Sequence, residues 1–279
     1  MVIHDRSVFV QHDNKRLSLS ILSLAMAVYV ALALAFAFIL FPSGVLKRFT
    51  APTHGLVTPT LVANLILLAI VVGVVLCLLG GLRPLDFGLR GSDVPVALVL
   101  TISVWIGANA IEAGWQVRAT GTVSWGGEWR TLGVTAAVGA LVAQLFGNAL
   151  YEEILFRGVL LRQTYWRFEA KHLPNLQRVA VSVAISQGLF ALIHLPILLS
   201  GGASVMAAFA RLPAIFAAGT AFAVLYARSD NLLLCVGIHA LANKPTLLVT
   251  DCFDLPDNLL FVTITCLVLA AFWRRDRTQ

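Results

Sequence analysis

The feature that most constrains the fold is a series of eight apolar runs, each long enough or nearly long enough to cross a bilayer. A membrane-spanning helix needs roughly 20 apolar residues, because the hydrocarbon core is about 30 Å thick and each helical residue rises about 1.5 Å. The runs are Leu19–Phe41, Leu61–Leu82, Val94–Ile111, Leu132–Leu161, Val179–Leu199, Ala208–Tyr226, Leu232–Thr250 and Leu259–Trp273. They predict an all-α fold, a polytopic membrane helical bundle with about eight transmembrane helices.

The composition agrees with this prediction. Of the 279 residues, 59% are hydrophobic and only 12% are charged, whereas soluble domains carry about 25% charged residues. No linker, low-complexity segment or internal repeat is evident, so residues 1–279 are expected to form a single membrane domain. The first run is longer than the roughly 7–15-residue core of a signal peptide and is followed by further spans, which favours a membrane helix.

The basic residues predict topology and not a nucleic-acid partner, because they lie in short loops beside the apolar runs. Cytoplasmic loops carry the excess of Lys and Arg, and eight spans would put thirteen basic residues on one side and six on the other. The larger group is Arg6, Lys15, Arg16, Arg83, Arg90, Arg162, Arg167, Lys171, Arg178, Arg228, Arg274, Arg275 and Arg277, and the smaller is Lys47, Arg48, Arg118, Arg130, Arg211 and Lys244. We expect a multi-pass protein of the lipid bilayer, in the plasma membrane if bacterial, with both termini cytoplasmic and the loop carrying Asp251, Asp254 and Asp257 on the other side.

Three ionisable residues lie inside the fourth apolar run, in the stretch A-L-Y-E-E-I-L-F-R-G-V-L-L. Each costs roughly 2.5–3.5 kcal/mol at the centre of a membrane helix, so their presence indicates a functional site. Glu153 and Arg157 are four residues apart and share a helical face, where they can neutralise each other. Glu152 points about 100° away and is left free for another role.

Two later runs carry polar residues at the same helical spacing. Polar stripes are predicted on the fourth run (Gln144, Asn148, Glu152), the fifth (Ser186, Phe190, His194, with Gln187 beside them) and the seventh (Cys235, His239, Asn243). Such stripes are expected where helices face a shared wet or hydrogen-bonded cavity. Counting residues from the nearest basic loop places Glu152 and His239 about 15 and 16 Å below the cytoplasmic surface and His194 about 24 Å below it. His194 comes into line if its helix starts a little after Arg178 or tilts.

This set of residue types is suited to peptide hydrolysis without a covalent intermediate. A buried carboxylate beside an imidazole can activate water as a general base, and an imidazole with an amide can donate hydrogen bonds to a developing oxyanion. Glu152, His194 and His239 could alternatively hold a divalent metal such as zinc. No H-E-x-x-H pair supports that alternative, and the four cysteines show no C-x-x-C spacing.

Other classes of function fit the same residues. A single membrane histidine more often forms a structural hydrogen bond between helices than a catalytic contact. Buried Glu and His also form proton relays in transporters, although the paired broken helices and repeated halves typical of transporters are absent from the sequence. A non-catalytic immunity or regulatory protein that binds a peptide in the same cavity is the remaining alternative.

The sequence resembles the CPBP family, the CAAX protease and bacteriocin-processing (Abi) family of intramembrane proteases. Its three signatures, E-E-x-x-x-R, F-x-x-x-H and H-x-x-x-N, stand here at Glu152–Arg157, Phe190–His194 and His239–Asn243. Each pattern is weak alone, but all three occur in order and in apolar runs. The resemblance covers about residues 82–250, the predicted catalytic core, including L-R-P-L-D-F-G-L-R at Leu82–Arg90, which is similar to the link that precedes the core in this family.

The resemblance implies an eight-helix endopeptidase of the glutamic type that needs no metal cofactor. In that case Glu152 with His194 activates water, and His239 with Asn243 stabilises the oxyanion. Glu153, Arg157 and Phe190 have supporting roles. The implied substrate is a membrane-associated or lipidated protein or peptide, because family members cleave prenylated CAAX proteins, process peptide pheromones or bacteriocins, or remove sorting tails. Some members are immunity or scaffold proteins without demonstrated cleavage.

Overall fold

A computed structural model describes residues 15–171, 173–250 and 255–273, with the side chains of residues 127, 128 and 255–259 outside the description. Within these ranges the regular secondary structure is helical and no β-strand is present. The predicted all-α polytopic helical bundle is therefore confirmed. The loop positions Asp251 and Asp254, and the terminal basic residues Arg6, Arg274, Arg275 and Arg277, lie outside the described residues.

Eight apolar helices, α1 to α8, follow one another along the described part of the chain. They are α1 (Leu19–Ser43), α2 (Pro59–Leu79), α3 (Val94–Thr120), α4 (Val134–Glu169), α5 (Asn175–Ser200), α6 (Val205–Ser229), α7 (Leu232–Asn243) and α8 (Leu255–Phe272). Helices α1 to α6 are long and apolar enough to cross a membrane. Short helical turns at Val45–Phe49, Pro84–Phe87 and Gly127–Leu132 lie in the connections.

Capping residues explain where several of these helices begin. The side chains of Ser18, Thr58, Ser204 and Asn231 each precede an apolar run and accept a hydrogen bond from a backbone N–H in the first helical turn. Such caps satisfy donors that have no partner within the helix. Because the caps come before the first apolar residue, they set the helix boundaries that hydropathy alone places only approximately.

The prediction that the seventh run crosses the membrane as one helix from Leu232 to Thr250 is wrong. Helix α7 has 12 residues and ends at Asn243, so it is about 18 Å long, well short of the 30 Å hydrocarbon core. The cause is Pro245, which has no backbone N–H and disfavours helical geometry in the residue before it. Lys244 accordingly has φ −153° and ψ 86°.

Helix α4 is longer than predicted and forms the centre of the bundle. It extends past Leu161 to Glu169, giving 36 residues, because the polar residues Arg162 and Gln163 are buried by packing and not left at the surface. It passes through two π-helical stretches, Ala143–Asn148 and Ile154–Leu161. Wider turns of this kind occur frequently at functional sites.

One end of the bundle, which we call the Arg-rich end, is where α1, α3, α5 and α7 begin and α2, α4 and α6 end. Near the C-terminus of α4, the Gln163 side chain donates to the Lys15 carbonyl at 3.0 Å and accepts from the Leu17 amide at 3.0 Å. The Lys15 ammonium reaches the Gly81 carbonyl just after α2 at 3.5 Å. These contacts bring the ends of α1, α2 and α4 together.

A cluster of charged residues joins α3 to the α6–α7 turn at the same end. The Arg90 guanidinium lies 2.8 Å from the Asp93 carboxylate through Nε and 2.8 Å from the Asp230 carboxylate through Nη1, and the Asn231 amide donates to the Asp93 carbonyl at 3.2 Å. Burial opposes the charged form of Arg90, but Asp230 and Asp93 together raise its pKa above the ordinary value. The cluster therefore holds the first turn of α7 against α3.

Candidate active site

The two adjacent glutamates of α4 lie at its middle and face different surroundings. Glu153 is fully buried and Glu152 is 7% exposed. Because successive residues of a helix point about 100° apart, one carboxylate is directed into the protein core while its neighbour reaches a different face. The geometry thus gives two chemically identical groups two different environments.

Arg157 neutralises Glu153 from the next turn of α4. Its Nη1 lies 2.9 Å from Glu153 Oε1, and neither side chain has any exposed surface, so the predicted ion pair is present. Its Nη2 donates to the Gly219 carbonyl of α6 at 3.2 Å, and the guanidinium lies 4.4 Å from the centre of the Phe190 ring. Such cation–π and hydrogen-bonding contacts are needed to keep a buried charge from being strongly destabilising.

Close packing at Gly219 supports this arrangement. A Cβ atom there would lie 2.8 Å from the Gln187 amide oxygen and 3.0 Å from the Phe190 ring. Glycine therefore lets α6 approach α5 closely enough for its carbonyl to receive Arg157. Phe190, expected to have a supporting role, packs between the Arg157 guanidinium and the His194 ring. The centres of the Phe190 and His194 rings are 4.7 Å apart.

His239 of α7 connects the two glutamates. Its Nδ1 lies 2.7 Å from Glu153 Oε1 and its Nε2 lies 3.5 Å from Glu152 Oε2. Because the ionised Glu153 carboxylate can only accept a hydrogen bond, Nδ1 carries the proton in this contact. The imidazole stacks on the Phe222 ring at 4.9 Å. Arg157, Glu153, His239 and Glu152 thus form one continuous buried chain of polar groups.

His194 is held by a local break in α5. Its backbone N–H turns to the Ala191 carbonyl at 3.1 Å, and its Nδ1 contacts the Phe190 carbonyl at 2.7 Å. The break lies two residues before Pro196, which cannot donate a helical hydrogen bond. Because a carbonyl only accepts, Nδ1 again carries the proton, and Nε2 of the neutral ring is an acceptor.

Glu152 and His194 line a common cavity of about 300 Å³ between α1, α2, α4 and α5. The other polar side chains on its wall are Tyr29, Thr60, Asn64, Gln144 and Asn148. Oxygen Oε2 of Glu152 is buried without a hydrogen bond and faces His239, so the other oxygen, Oε1, is the one available to the cavity. A buried carboxylate with one oxygen toward a cavity is placed to act on a molecule bound there.

The structure brings the predicted residues together in a different arrangement from the one expected. Glu152 and His194 share the cavity, whereas His239 is buried behind Glu152 and does not line it. Asn243 is exposed, and its amide donates to Gln144 Oε1 at 3.1 Å. Asn243 therefore reaches the cavity only through Gln144, and the His239–Asn243 pair implied by the resemblance does not face one common space.

The structure places the polar stripes predicted on the three runs in different surroundings. The α4 stripe of Gln144, Asn148 and Glu152 lines the cavity along its whole length. On α5, Ser186 is fully buried and donates to the Ser182 carbonyl at 2.8 Å, so it belongs to the helix interior. Cys235 is also fully buried. No residue of α7 is among those that line this cavity; its His239 instead meets both glutamates of α4, and its Asn243 meets Gln144.

The motif analysis missed three polar cavity residues, of which Tyr29 and Asn64 lie deepest in the wall. Tyr29 of α1 is fixed by edge-to-face contacts with Tyr151 and Phe156 at 5.2 and 6.0 Å, and Asn64 lies on α2. The available signal was that Asn64 is the one strongly polar residue in its apolar run and Tyr29 the one residue with a hydroxyl between Leu24 and Pro42. Within the described part of the chain, neither the Tyr29 hydroxyl nor the Asn148 amide has a hydrogen-bond partner.

The described residues around the cavity do not form a site for a metal ion. Among the described residues, no group of three or more His, Cys, Asp and Glu side chains is arranged to hold one. Of the three candidate ligands, His239 uses Nδ1 on Glu153 and is separated from the cavity by Glu152, while His194 lies across the cavity on α5. We therefore derive no step through a metal.

The fold and site define a class of protein, a multi-pass membrane protein with a carboxylate and histidine site enclosed by its helices. Residues 134–244 match the family model described as Type II CAAX prenyl endopeptidase Rce1-like. This segment contains all three motifs, from Glu152 to Asn243, and lies inside the predicted core at residues 82–250. Over this segment the chain is similar to the CAAX protease family, which supports the resemblance indicated by the three motifs. No curated protein and no solved structure matches the chain.

Proposed function

We propose that this protein is an intramembrane endopeptidase in which Glu152 activates water to hydrolyse a peptide bond. The observation that carries the proposal is the placement of Glu152 at the buried end of the cavity, opposite His194 and backed by His239. The match of residues 134–244 to a CAAX prenyl endopeptidase family model supports peptide hydrolysis in a membrane. The substrate class consistent with that family is a membrane-associated protein or peptide.

The first step uses two acceptors that face the same space. Oε1 of Glu152 and Nε2 of His194 would each accept a hydrogen bond from one water molecule, which leaves its oxygen lone pair directed at a carbonyl carbon. Glu152 takes the proton as the water oxygen forms a bond to that carbon. The carbonyl oxygen becomes an oxyanion, which the donors on the remaining wall, Tyr29 and Asn148, would stabilise.

In the second step the protonated Glu152 gives its proton to the amide nitrogen, the carbon–nitrogen bond breaks, and a carboxylic acid and an amine leave. Glu152 returns to its ionised form, so protons and electrons balance over the cycle. His239 would limit the movement of Glu152 by packing behind it, because the position of His239 is fixed by Glu153 and that of Glu153 in turn by Arg157. This is the logic of a catalytic base held by a second and third group.

The test compares protein and peptide termini in membranes and medium from cells that carry wild type, Glu152→Gln or no copy. The Gln variant keeps the shape of the side chain but removes the base. Glu112→Gln is a matched control, since Glu112 is another buried membrane carboxylate, 1% exposed, on the wall of a separate apolar cavity between α3, α7 and α8.

We expect new termini with wild type and Glu112→Gln and none with Glu152→Gln at equal expression. If wild type and Glu152→Gln give identical termini while both differ in phenotype from cells without the gene, hydrolysis at this site is refuted. The protein would then be a binding protein that uses the same cavity.

A further inference from the structure

The cavity occupies only one half of the bundle. On α1 its wall runs from Tyr29 to Phe41, toward the C-terminal end of that helix, and on α2 it includes Thr60, the second residue. On α4 it runs from Glu152 back toward Gln144. Since α1 ends and α2 and α4 begin at the end opposite the Arg-rich end, the cavity extends from the middle of the bundle to that opposite end.

The exposure of the wall residues shows which way the cavity opens. Tyr29 and Glu152, at the inner end, are 5% and 7% exposed. Thr60 and Gln144 are partly exposed, and Ile197 in the last turn of α5 is 50% exposed. Although Phe36 and Ala37 on the same wall are buried, at 4% exposure each, the exposed wall residues Thr60, Gln144 and Ile197 lie toward the end opposite the Arg-rich end, which indicates a mouth there.

The path from Glu152 to the Arg-rich end is closed by packing. Every residue of Ile154–Leu161 is buried, and the link before α3 lies against this stretch through Phe87. A Cβ on Gly158 would lie 2.8 Å from the Phe87 carbonyl oxygen, and the Tyr226 hydroxyl donates to the same oxygen at 3.4 Å. A solid interior of this kind leaves no space for a peptide, because protein cores are close-packed.

The distribution of basic residues relates the two ends to the two sides of the membrane. Among the described residues, nine Lys and Arg residues lie at or beside the Arg-rich end and six at or beside the opposite end. The side with the excess of Lys and Arg is the cytoplasmic side. The mouth of the cavity then faces away from the cytoplasm.

We propose that the site takes its substrate from the extracytoplasmic face of the membrane. This rests on the proposed function and narrows it: the substrate is an exported or membrane-anchored polypeptide whose cleaved bond is presented near the outer leaflet. A lipidated tail held in the cytoplasmic leaflet would meet the closed side of the protein. Recognition would use the polar wall of Tyr29, Asn64 and Asn148 near the bond and the apolar rim of Phe41 and Ile197 farther out.

Thiol labelling with a membrane-impermeant reagent tests this directly. The four native cysteines are replaced by alanine, and single cysteines are introduced at three sites by conservative changes: Ser43→Cys at the opposite end, Ser92→Cys at the Arg-rich end, and Thr60→Cys in the cavity. Ser43 and Ser92 are exposed and report the orientation of each end. Each variant is labelled in intact cells and in permeabilised cells.

We expect Ser43→Cys and Thr60→Cys to be labelled in intact cells and Ser92→Cys only after permeabilisation. The proposal is overturned if Thr60→Cys labels together with Ser92→Cys, if it labels in neither preparation, or if Ser92→Cys labels in intact cells. Labelling does not require catalysis, so this result stands apart from the proposed function.

Activity supplies the second readout. If cleavage products are found with wild type, external labelling of Thr60→Cys should remove them, since the modified side chain fills the mouth of the cavity. Labelled Ser43→Cys, outside the cavity, should keep them. Absence of wild-type products would refute the proposed function while leaving the labelling pattern to decide the orientation of the cavity.

Discussion

Removal of the Arg157 charge should destabilise the protein strongly, because Glu153 would be left buried with one partner fewer. Both side chains are completely buried at an N–O distance of 2.9 Å, and breaking such a pair from one side typically costs about 3–5 kcal/mol. We choose Arg157→Met, since methionine keeps much of the apolar stem that packs on Phe190. His239 remains hydrogen-bonded to Glu153 at 2.7 Å. We therefore expect the loss in free energy of unfolding to be about 3 kcal/mol, at the lower end of that range.

The assay is equilibrium unfolding in mixed micelles at increasing dodecyl sulfate, followed by tryptophan fluorescence. Arg16→Met is the matched control, because Arg16 lies 3.8 Å from Glu169 with side chains 52% and 28% exposed, and such pairs contribute about 0–1 kcal/mol. The single variant Glu153→Gln and the double variant Glu153→Gln/Arg157→Met complete a double-mutant cycle. Glutamine still accepts from His239 but needs no positive partner, so the double variant should be more stable than the sum of the two single losses predicts.

Two results would refute this reasoning. One is a loss for Arg157→Met no larger than that for Arg16→Met, which would mean that the buried charge is compensated elsewhere. The other is strict additivity within about 0.5 kcal/mol in the cycle, which would mean that Glu153 and Arg157 do not interact.

Two further predictions concern the cavity wall. Tyr29→Phe keeps the ring contact with Tyr151 but removes the hydroxyl, so we expect kcat of the purified protein on a cleaved peptide to fall about 10²-fold with KM unchanged, as for an oxyanion donor; an unchanged kcat would exclude that role. Asn243→Ala and Gln144→Ala should impair cleavage to a similar extent and without additivity, because Asn243 reaches the cavity through Gln144 at 3.1 Å. A larger effect of Asn243→Ala alone would favour direct contact with substrate.

Local patterns predicted the parts of the site that lie within one helix. The pairing of Glu153 with Arg157 follows from a spacing of four residues, and the α4 stripe from Gln144 to Glu152 lines the cavity as its spacing predicts. In both cases the geometry depends on the helical repeat and on nothing farther along the chain.

Contacts between helices could not be predicted in the same way. The motifs led us to expect Glu152 with His194 and His239 with Asn243, but His239 joins the two glutamates and Asn243 is exposed. The rotation of α7 about its axis and its early end at Asn243 decide this arrangement. Both depend on how the chain after Lys244 packs, for example where the Trp105 indole donates to the Pro245 carbonyl at 3.0 Å.

The sequence by itself determined the membrane environment, the all-helical class and the candidate site residues, because hydrophobicity and ionisable groups in apolar runs have large local free-energy consequences. Only the tertiary structure decided which oxygen of Glu152 meets the cavity, which histidine supports it, and at which end the cavity opens. These properties arise from the relative rotation and depth of α1, α2, α4, α5 and α7. Such displacements are set by close packing among side chains distant in sequence, and no local pattern records them.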